Sequence, residues 1–396
     1  MSAPLAGLKV LELARILAGP WIGQTLADLG ADVVKVESPE GDDTRRWGPP
    51  FVSGADGAPL DAAYFHACNR GKRSVVADLH DPADRARVLQ LVDRADVLIE
   101  NFRTGGLGKF GLDYPALAER NPRLVYCSVT GFGQDGPYAA RAGYDAMIQG
   151  LCGLMDLTGE PDGAPQKIGV ALVDVMTGLY GTIAIQAALA QRERTGRGQH
   201  IDMALLDVGT AVLANQALNY LVSGEVPRRL GTAHPNIVPY QSFAVADGHL
   251  MLAVGNDGQF RRLCEALGRP GLADEERFAS NAARVRARAD LVPLLQSLIA
   301  TWPRDVLLGR LEALACRPAR STRWPTYSAT RRSGIAACCV SCRRRTGLAV
   351  ACPRCARRSV FRARSWSSSA PRRDSDSTPR RCGANSTTER RPRSLD

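Results

Sequence analysis

Residues 8–37 read LKVLELARILAGPWIGQTLADLGADVVKVE, and their pattern decides the fold. The opening LKVLELA (8–14) is a short apolar run of strand length. PWIGQTLADLGA (20–31) then carries helical spacing, with Pro20 suited to a first helical turn, where its missing N–H costs nothing. DVVKVE (32–37) returns to a β-branched strand. A helix between two strands carries the chain back to the starting end, so the second strand lies parallel to the first.

Outward from this unit the alternation continues. RSVVADL (73–79), ADVLIENF (95–102) and LVYCSVTGF (124–132) read as further strands, and DPADRARVLQLVDR (81–94) as an amphipathic helix between two of them. The expected class is α/β, a Rossmann-like, doubly wound parallel sheet. Val170–Ala190 and Met203–Val222 approach membrane length, but each holds an aspartate, Asp174 and Asp207. They are predicted as two helices buried in protein, flanking the strand GQHIDMAL (198–205), and no membrane is expected as a partner. A Pro/Gly/His-containing stretch over 223–240 marks a domain change, QSFAVADGHLMLAVG (241–255) reads as a hairpin, and helices follow to about Ala315. The expected division is a large domain over 1–222, a smaller α+β domain over 223–315, and a tail over 316–396.

Charge sharpens that division. The chain carries +11 overall, which taken alone points to a polyanionic partner. From Cys316 onward there are 20 Arg, no Lys and 4 Asp/Glu, a net +16, so the body before it is at −5. Seven of the 11 cysteines also lie in the tail. The four in the body are scattered, as in a reducing compartment, and the N-terminus shows no basic run before an apolar one. A cytoplasmic protein is expected.

In open parallel sheets ligands gather beyond the carboxyl ends of the strands. Those positions are Leu17-Ala18, Ala77–His80, Asn101–Arg103 and Gly131-Phe132. Gly106–Gly111 matches G-x-G-x-x-G but does not directly join a strand to a helix, so it is weak evidence for a dinucleotide. His66, His80, His200, His234 and His249 have no metal-ligand spacing, and no bound metal is expected. Asp174 is a lone carboxylate in VALVDVMTGLY (170–180). Two readings stay open: a hydrogen-bonded or helix-capping aspartate, and a desolvated carboxylate nucleophile.

Several blocks together resemble the class III coenzyme A-transferases, the formyl-CoA and carnitine CoA-transferase group. They are residues 7–51, NRGKRSVVADL (69–79), ADVLIENFRTGGLGKFGLDY (95–114), residues 121–160 and RTGRGQHIDMALLD (194–207), all in family order. The resemblance runs from about Leu5 to Leu314. It implies an interlocked homodimer that takes acyl-CoA and a free carboxylic acid as substrates, with no permanently bound cofactor. It also implies that the catalytic aspartate falls on Asp174, which passes through a mixed anhydride and an aspartyl-CoA thioester. Contacts to coenzyme A carried over by position fall on Leu17, Ala18, Ala77, Asp78, Asn101, Phe102, Arg103, Lys109, Arg141 and Tyr144. The same fold serves α-methylacyl-CoA racemases, which use a histidine in a Gly-His-Asp block. Here the block reads Gly143-Tyr144-Asp145, and a phenol does not replace a near-neutral base, so racemisation is the alternative activity and the disfavoured one.

The tail departs from the family. Its Cys339-x-x-Cys342 and Cys352-x-x-Cys355 pairs imitate a zinc ribbon within an arginine-rich segment. However, back-translation of Ala315–Cys338 displaced by one base permits VPAGPINTLADVFGDPQVRHRGM, which resembles the family's continuation. Arg373–Pro379 likewise permits GLGQHT. The expectation is a frameshift near codon 315, an unstructured out-of-frame tail, no zinc site and no nucleic-acid partner.

Overall fold

The computed structural model describes residues 3–54 and 57–314, together with the backbone of 317–320. The large domain begins with β1 (Lys9–Glu12), α1 (Ala18–Asp28) and β2 (Asp32–Glu37), the parallel unit expected from residues 8–37. A small antiparallel pair follows, β3 (Phe51–Ser53) and β4 (Pro59–Ala62), then α2 (Ala63–Cys68). The alternation resumes with β5 (Arg73–Val76), α3 (Pro82–Val92), β6 (Val97–Glu100), α4 (Tyr114–Arg120) and β7 (Val125–Thr130). Next come α5 (Asp145–Leu151), α6 (Leu154–Leu157), the long α7 (Leu172–Thr195), β8 (His200–Ala204), α8 (Leu205–Ala211) and α9 (Asn215–Ser223).

Six strands form one parallel sheet in the order β5-β2-β1-β6-β7-β8. From β1 the chain first builds outward on one side through β2 and β5, then crosses to β6 and builds on the other. The strand order therefore reverses between β1 and β6. Helices cover both faces, which is why β6 and β7 are buried along their whole lengths. On one face Val10, Val33, Val97 and Val125 pack with Ile22, Leu26 and Ile185 of α1 and α7. On the other Leu11, Leu98 and Tyr126 pack with Val88, Val92 and Leu117 of α3 and α4. Each such aliphatic side chain contributes roughly 1.5–3 kcal/mol by burial.

Two expectations need correction. One face of α7 is buried: a Cβ on Gly178 would sit 2.8 Å from Trp21, and one on Gly181 2.5 Å from Ile22, so two glycines let α7 lie close on α1. Its other face leaves Tyr180 and Ile183 exposed, so α7 is not enclosed by the described chain, although it is long and apolar enough to cross a membrane by length and composition. The helix expected over 203–222 is instead the end of β8 followed by two short helices, broken at Ala214 with φ +48°. Pairing of Met203 and Ala204 with β7 overrides the helical reading. Leu218, Leu221 and Val222 on α9 are exposed rather than buried.

The second domain has its own core. The hairpin β9 (Tyr240–Val245) and β10 (Gly248–Ala253) packs with α10 (Asp257–Ala266), α11 (Asn281–Arg286), α12 (Arg288–Ile299) and α13 (Arg304–Ala313). Arg284 is fully buried there, donating to Val238 O, Phe278 O and Asp257 Oδ1, so its charge is paired and its donors are used. Arg317–Arg320 form β11, antiparallel to β10, although no structure is expected of the chain from 316 onward. A sheet edge offers main-chain donors and acceptors to any sequence, and Pro318 is tolerated on that outer strand. The C-x-x-C pairs and the other expectations for the tail lie outside the described residues.

Candidate active site

The reversal between β1 and β6 opens a cleft beyond the strand ends, and a cavity of about 810 Å³ occupies it. Leu17 and Ala18 reach it from the β1–α1 turn, Ala77 and Asp78 from the end of β5, and Asn101, Phe102 and Arg103 from the end of β6. Lys109 comes from the short 3₁₀ turn Gly108–Phe110, Arg141 and Tyr144 from the loop before α5, and Asp174 from the first turn of α7. All eleven residues singled out in the sequence thus line one cavity. Gly131 and His80 line it too, whereas Phe132 is not in the lining and packs, partly buried, against the core on one face of the sheet. The Gly106–Gly111 run lies within the longer β6–α4 connection, directly abutting neither element, and contributes Gly106, Lys109 and Phe110 to the wall.

Main-chain and side-chain bonds fix this wall. Arg15 N donates to Asn101 Oδ1 at 2.9 Å, and Asn101 Nδ2 donates to Arg15 O at 2.7 Å, tying the two sides of the cleft together. Phe102 N donates to Glu100 Oε2 at 2.8 Å; burial pushes that carboxyl up to about 7. Gly131 and Gly143 touch backbone to backbone, since a Cβ on either would lie 2.5–2.6 Å from the other's Cα. Arg103, Lys109 and Arg141 leave exposed cations at the cavity, with Arg141 stacked 4.0 Å from the Tyr138 ring.

Asp174 is only 9% exposed, and its carboxylate accepts no hydrogen bond from the described residues. Burial, with a smaller contribution from Asp145, pushes it up to about 7. It does not cap its helix, because the N-cap position belongs to Ala171. Asp145 on α5 performs that service from outside: its Oδ1 accepts from Val173 N at 2.8 Å and Asp174 N at 3.3 Å. Gln149 steadies Asp145 at 2.7 Å and accepts from Ile168 N at 2.9 Å. The Asp174 side chain is thus buried without serving as the cap of α7.

Sequence reasoning missed two neighbours. Tyr64 on α2 has its phenol pushed up to about 12, by burial first and by Asp174 second; nothing in its local pattern signals that proximity. Beneath the β1–α1 turn, Glu12, Lys35, Asp42 and Lys72 form a buried four-charge cluster. Lys35 Nζ lies 3.2 Å from Glu12 Oε1 and 3.0 Å from Asp42 Oδ2, and Lys72 Nζ lies 2.8 Å from Glu12 Oε1. A glutamate and a lysine inside otherwise apolar strands were the available signal. No cluster of three or more His, Cys, Asp or Glu side chains that could hold a metal exists among the described residues.

A cavity at the switch point of a parallel sheet thus holds a buried carboxylate and three exposed cations in one lining. The sequence profile of CoA-transferase family III matches residues 5–374, and the chain belongs to that family. It is 60% identical over 313 residues to the succinate–glutarate CoA-transferase of Agrobacterium fabrum, covering 79% of this chain and 78% of that protein. It is 44% identical over 298 residues to the succinyl-CoA:glutarate CoA-transferase of Mus musculus, covering 75% of this chain and 67% of that protein. A solved CAIB/BAIF family protein from Brucella suis superposes with a TM-score of 0.74 at 59% identity, covering 84% of this chain and 88% of that one. The protein is an enzyme of the class III CoA-transferase type.

Proposed function

We propose that the enzyme moves coenzyme A from an acyl-CoA thioester to a free carboxylic acid, with Asp174 as the covalent carrier. The names of the relatives, succinate–glutarate and succinyl-CoA:glutarate CoA-transferase, favour short dicarboxylic acids as donor and acceptor. The observation that carries the proposal is the bare, buried Asp174 carboxyl in the same cavity as the ten positions expected to hold coenzyme A. Its oxygen attacks the thioester carbonyl, the C–S bond breaks, and the CoA thiolate leaves a mixed anhydride behind. The thiolate then attacks the aspartyl carbonyl, releasing the donor acid and forming an aspartyl-CoA thioester. The acceptor carboxylate displaces CoA to give a second anhydride, and the thiolate attacks the acceptor's carbonyl, returning Asp174 unchanged. No proton or electron is consumed. All three intermediates hydrolyse, so a site that excludes water suits the task. Arg103, Lys109 and Arg141 supply cations for the CoA phosphates.

The exposed apolar side chains of α7 and α9, among them Ile183, Leu218, Leu221 and Val222, support assembly as a homodimer. The back-translated frame supports replacement of the native C-terminal segment from about residue 316. The test, made on the chain with the alternative frame restored from residue 315, is transfer from succinyl-CoA to glutarate, with hydroxylamine trapping during turnover. Asp174→Ala should abolish transfer and trapping while leaving coenzyme A binding measurable; transfer near the wild-type rate would refute the assignment.

A further inference from the structure

Ile16 stands in the cavity wall with φ +72°, a left-handed backbone conformation that a β-branched residue seldom adopts. Such a residue persists only where its surroundings over-determine it. Here its N–H donates to both oxygens of Asp42, at 3.4 and 3.3 Å, and its carbonyl accepts from Cys68 Sγ at 3.3 Å. Asp42 is itself locked. It is 1% exposed, its Oδ1 accepts from Thr44 N and Thr44 Oγ1, and its Oδ2 pairs with Lys35 Nζ. Lys35 Nζ also donates to Ala14 O at 2.6 Å, and Lys72 Nζ to Pro20 O at 2.8 Å, so the cluster grips the turn on both sides of Ile16.

We infer that Asp42 is a positioning residue for coenzyme A: through the Ile16 N–H it holds the strained turn that presents Leu17 and Ala18 to the cavity. The inference rests on the proposed function. Two positive and two negative charges are buried under the five-residue turn between β1 and α1, with bonds reaching from Ala14 to Pro20. Freed of Asp42, Ile16 would relax toward the right-handed or extended region, and the two residues after it would swing with it.

The ligand used is free coenzyme A, titrated calorimetrically into the full chain. Asp42→Asn should weaken binding about tenfold, the scale of a left-handed β-branched residue losing its restraint. Adding Ile16→Gly should return affinity to within about threefold of wild type, because glycine adopts a positive φ without cost. A role confined to stability would lower the unfolding temperature in Asp42→Asn and leave affinity unchanged well below it. Should Asp42→Asn not fold, Ile16→Pro keeps all four charges while removing the N–H and forbidding positive φ; it should weaken binding by about tenfold or more. Wild-type affinity in either variant, or no recovery with Ile16→Gly, would overturn the inference. A wild-type chain that does not bind coenzyme A would overturn the proposed function along with it.

Discussion

Asp174→Asn should be more stable than the wild-type chain above pH 7 and lose that advantage in acid. The folded state raises the carboxyl from its ordinary 3.8 to about 7, mostly by burial. In the unfolded chain the group ionises near the ordinary value, whereas in the folded chain it keeps its proton to about pH 7. Between those limits the folded state binds the extra proton, so wild-type stability falls as pH rises and the full cost is present above 7. The interval corresponds to about 4 kcal/mol. Asparagine has the same shape and no charge to desolvate, so it escapes the cost. For a domain of this size the gap is worth about 10 °C in unfolding temperature at pH 8, shrinking to almost nothing near pH 4. Glu100, also raised by burial, titrates in both proteins and cancels from the difference. The assay is urea or thermal unfolding of both chains across about pH 4 to 8. A gap that does not vary with pH, or a wild type more stable at pH 8, would refute the reasoning. The variant should also be inactive in CoA transfer, so stability and activity move in opposite directions.

Arg103→Glu should weaken coenzyme A binding about tenfold or more, whereas Arg286→Gln, remote from the cavity, should leave it unchanged by calorimetry. Lys35→Met leaves Asp42 without its buried cation and should cost about 3–5 kcal/mol in urea unfolding. Gly143→Ala places a methyl 2.5 Å from Gly131 Cα, where only backbone can yield, and should destabilise by about 1–3 kcal/mol while lowering coenzyme A affinity. A chain with the alternative frame restored from residue 315 should form a monodisperse, active dimer by light scattering and transfer assay, and the 396-residue chain, while still binding coenzyme A, should be inactive in transfer.

The sheet was legible because its strands are short, β-branched and separated by helices; DVVKVE coincides with β2 to the residue. The switch-point residues were legible for the same reason, since strand ends locate a cleft before any contact is known. The break at Ala214 was not, because a run such as 203–222 satisfies helix and strand patterns until β7 claims its first residues. Tyr64, the Asp145 cap and the four-charge cluster depend on contacts between segments distant in sequence, such as Lys72 with Glu12 or Val173 with Asp145, and no local periodicity encodes those.

The order of strands in the large sheet sets the time at which the cavity can exist. β1 is made first yet lies in the middle, and its second neighbour, β6, follows only after β2 and β5 have been made. The clasp between Arg15 and Asn101 spans 86 residues of chain. Closing loops of that length costs entropy before any pairing is gained, so parallel pairing of this kind is slow. Until that closure the apolar faces of β1 and β2 stand open, and the two walls of the cavity belong to unconnected halves of the nascent domain. Binding competence should therefore emerge late in folding and all at once, and coenzyme A, by holding both walls, would act as a ligand of the last step rather than of any intermediate.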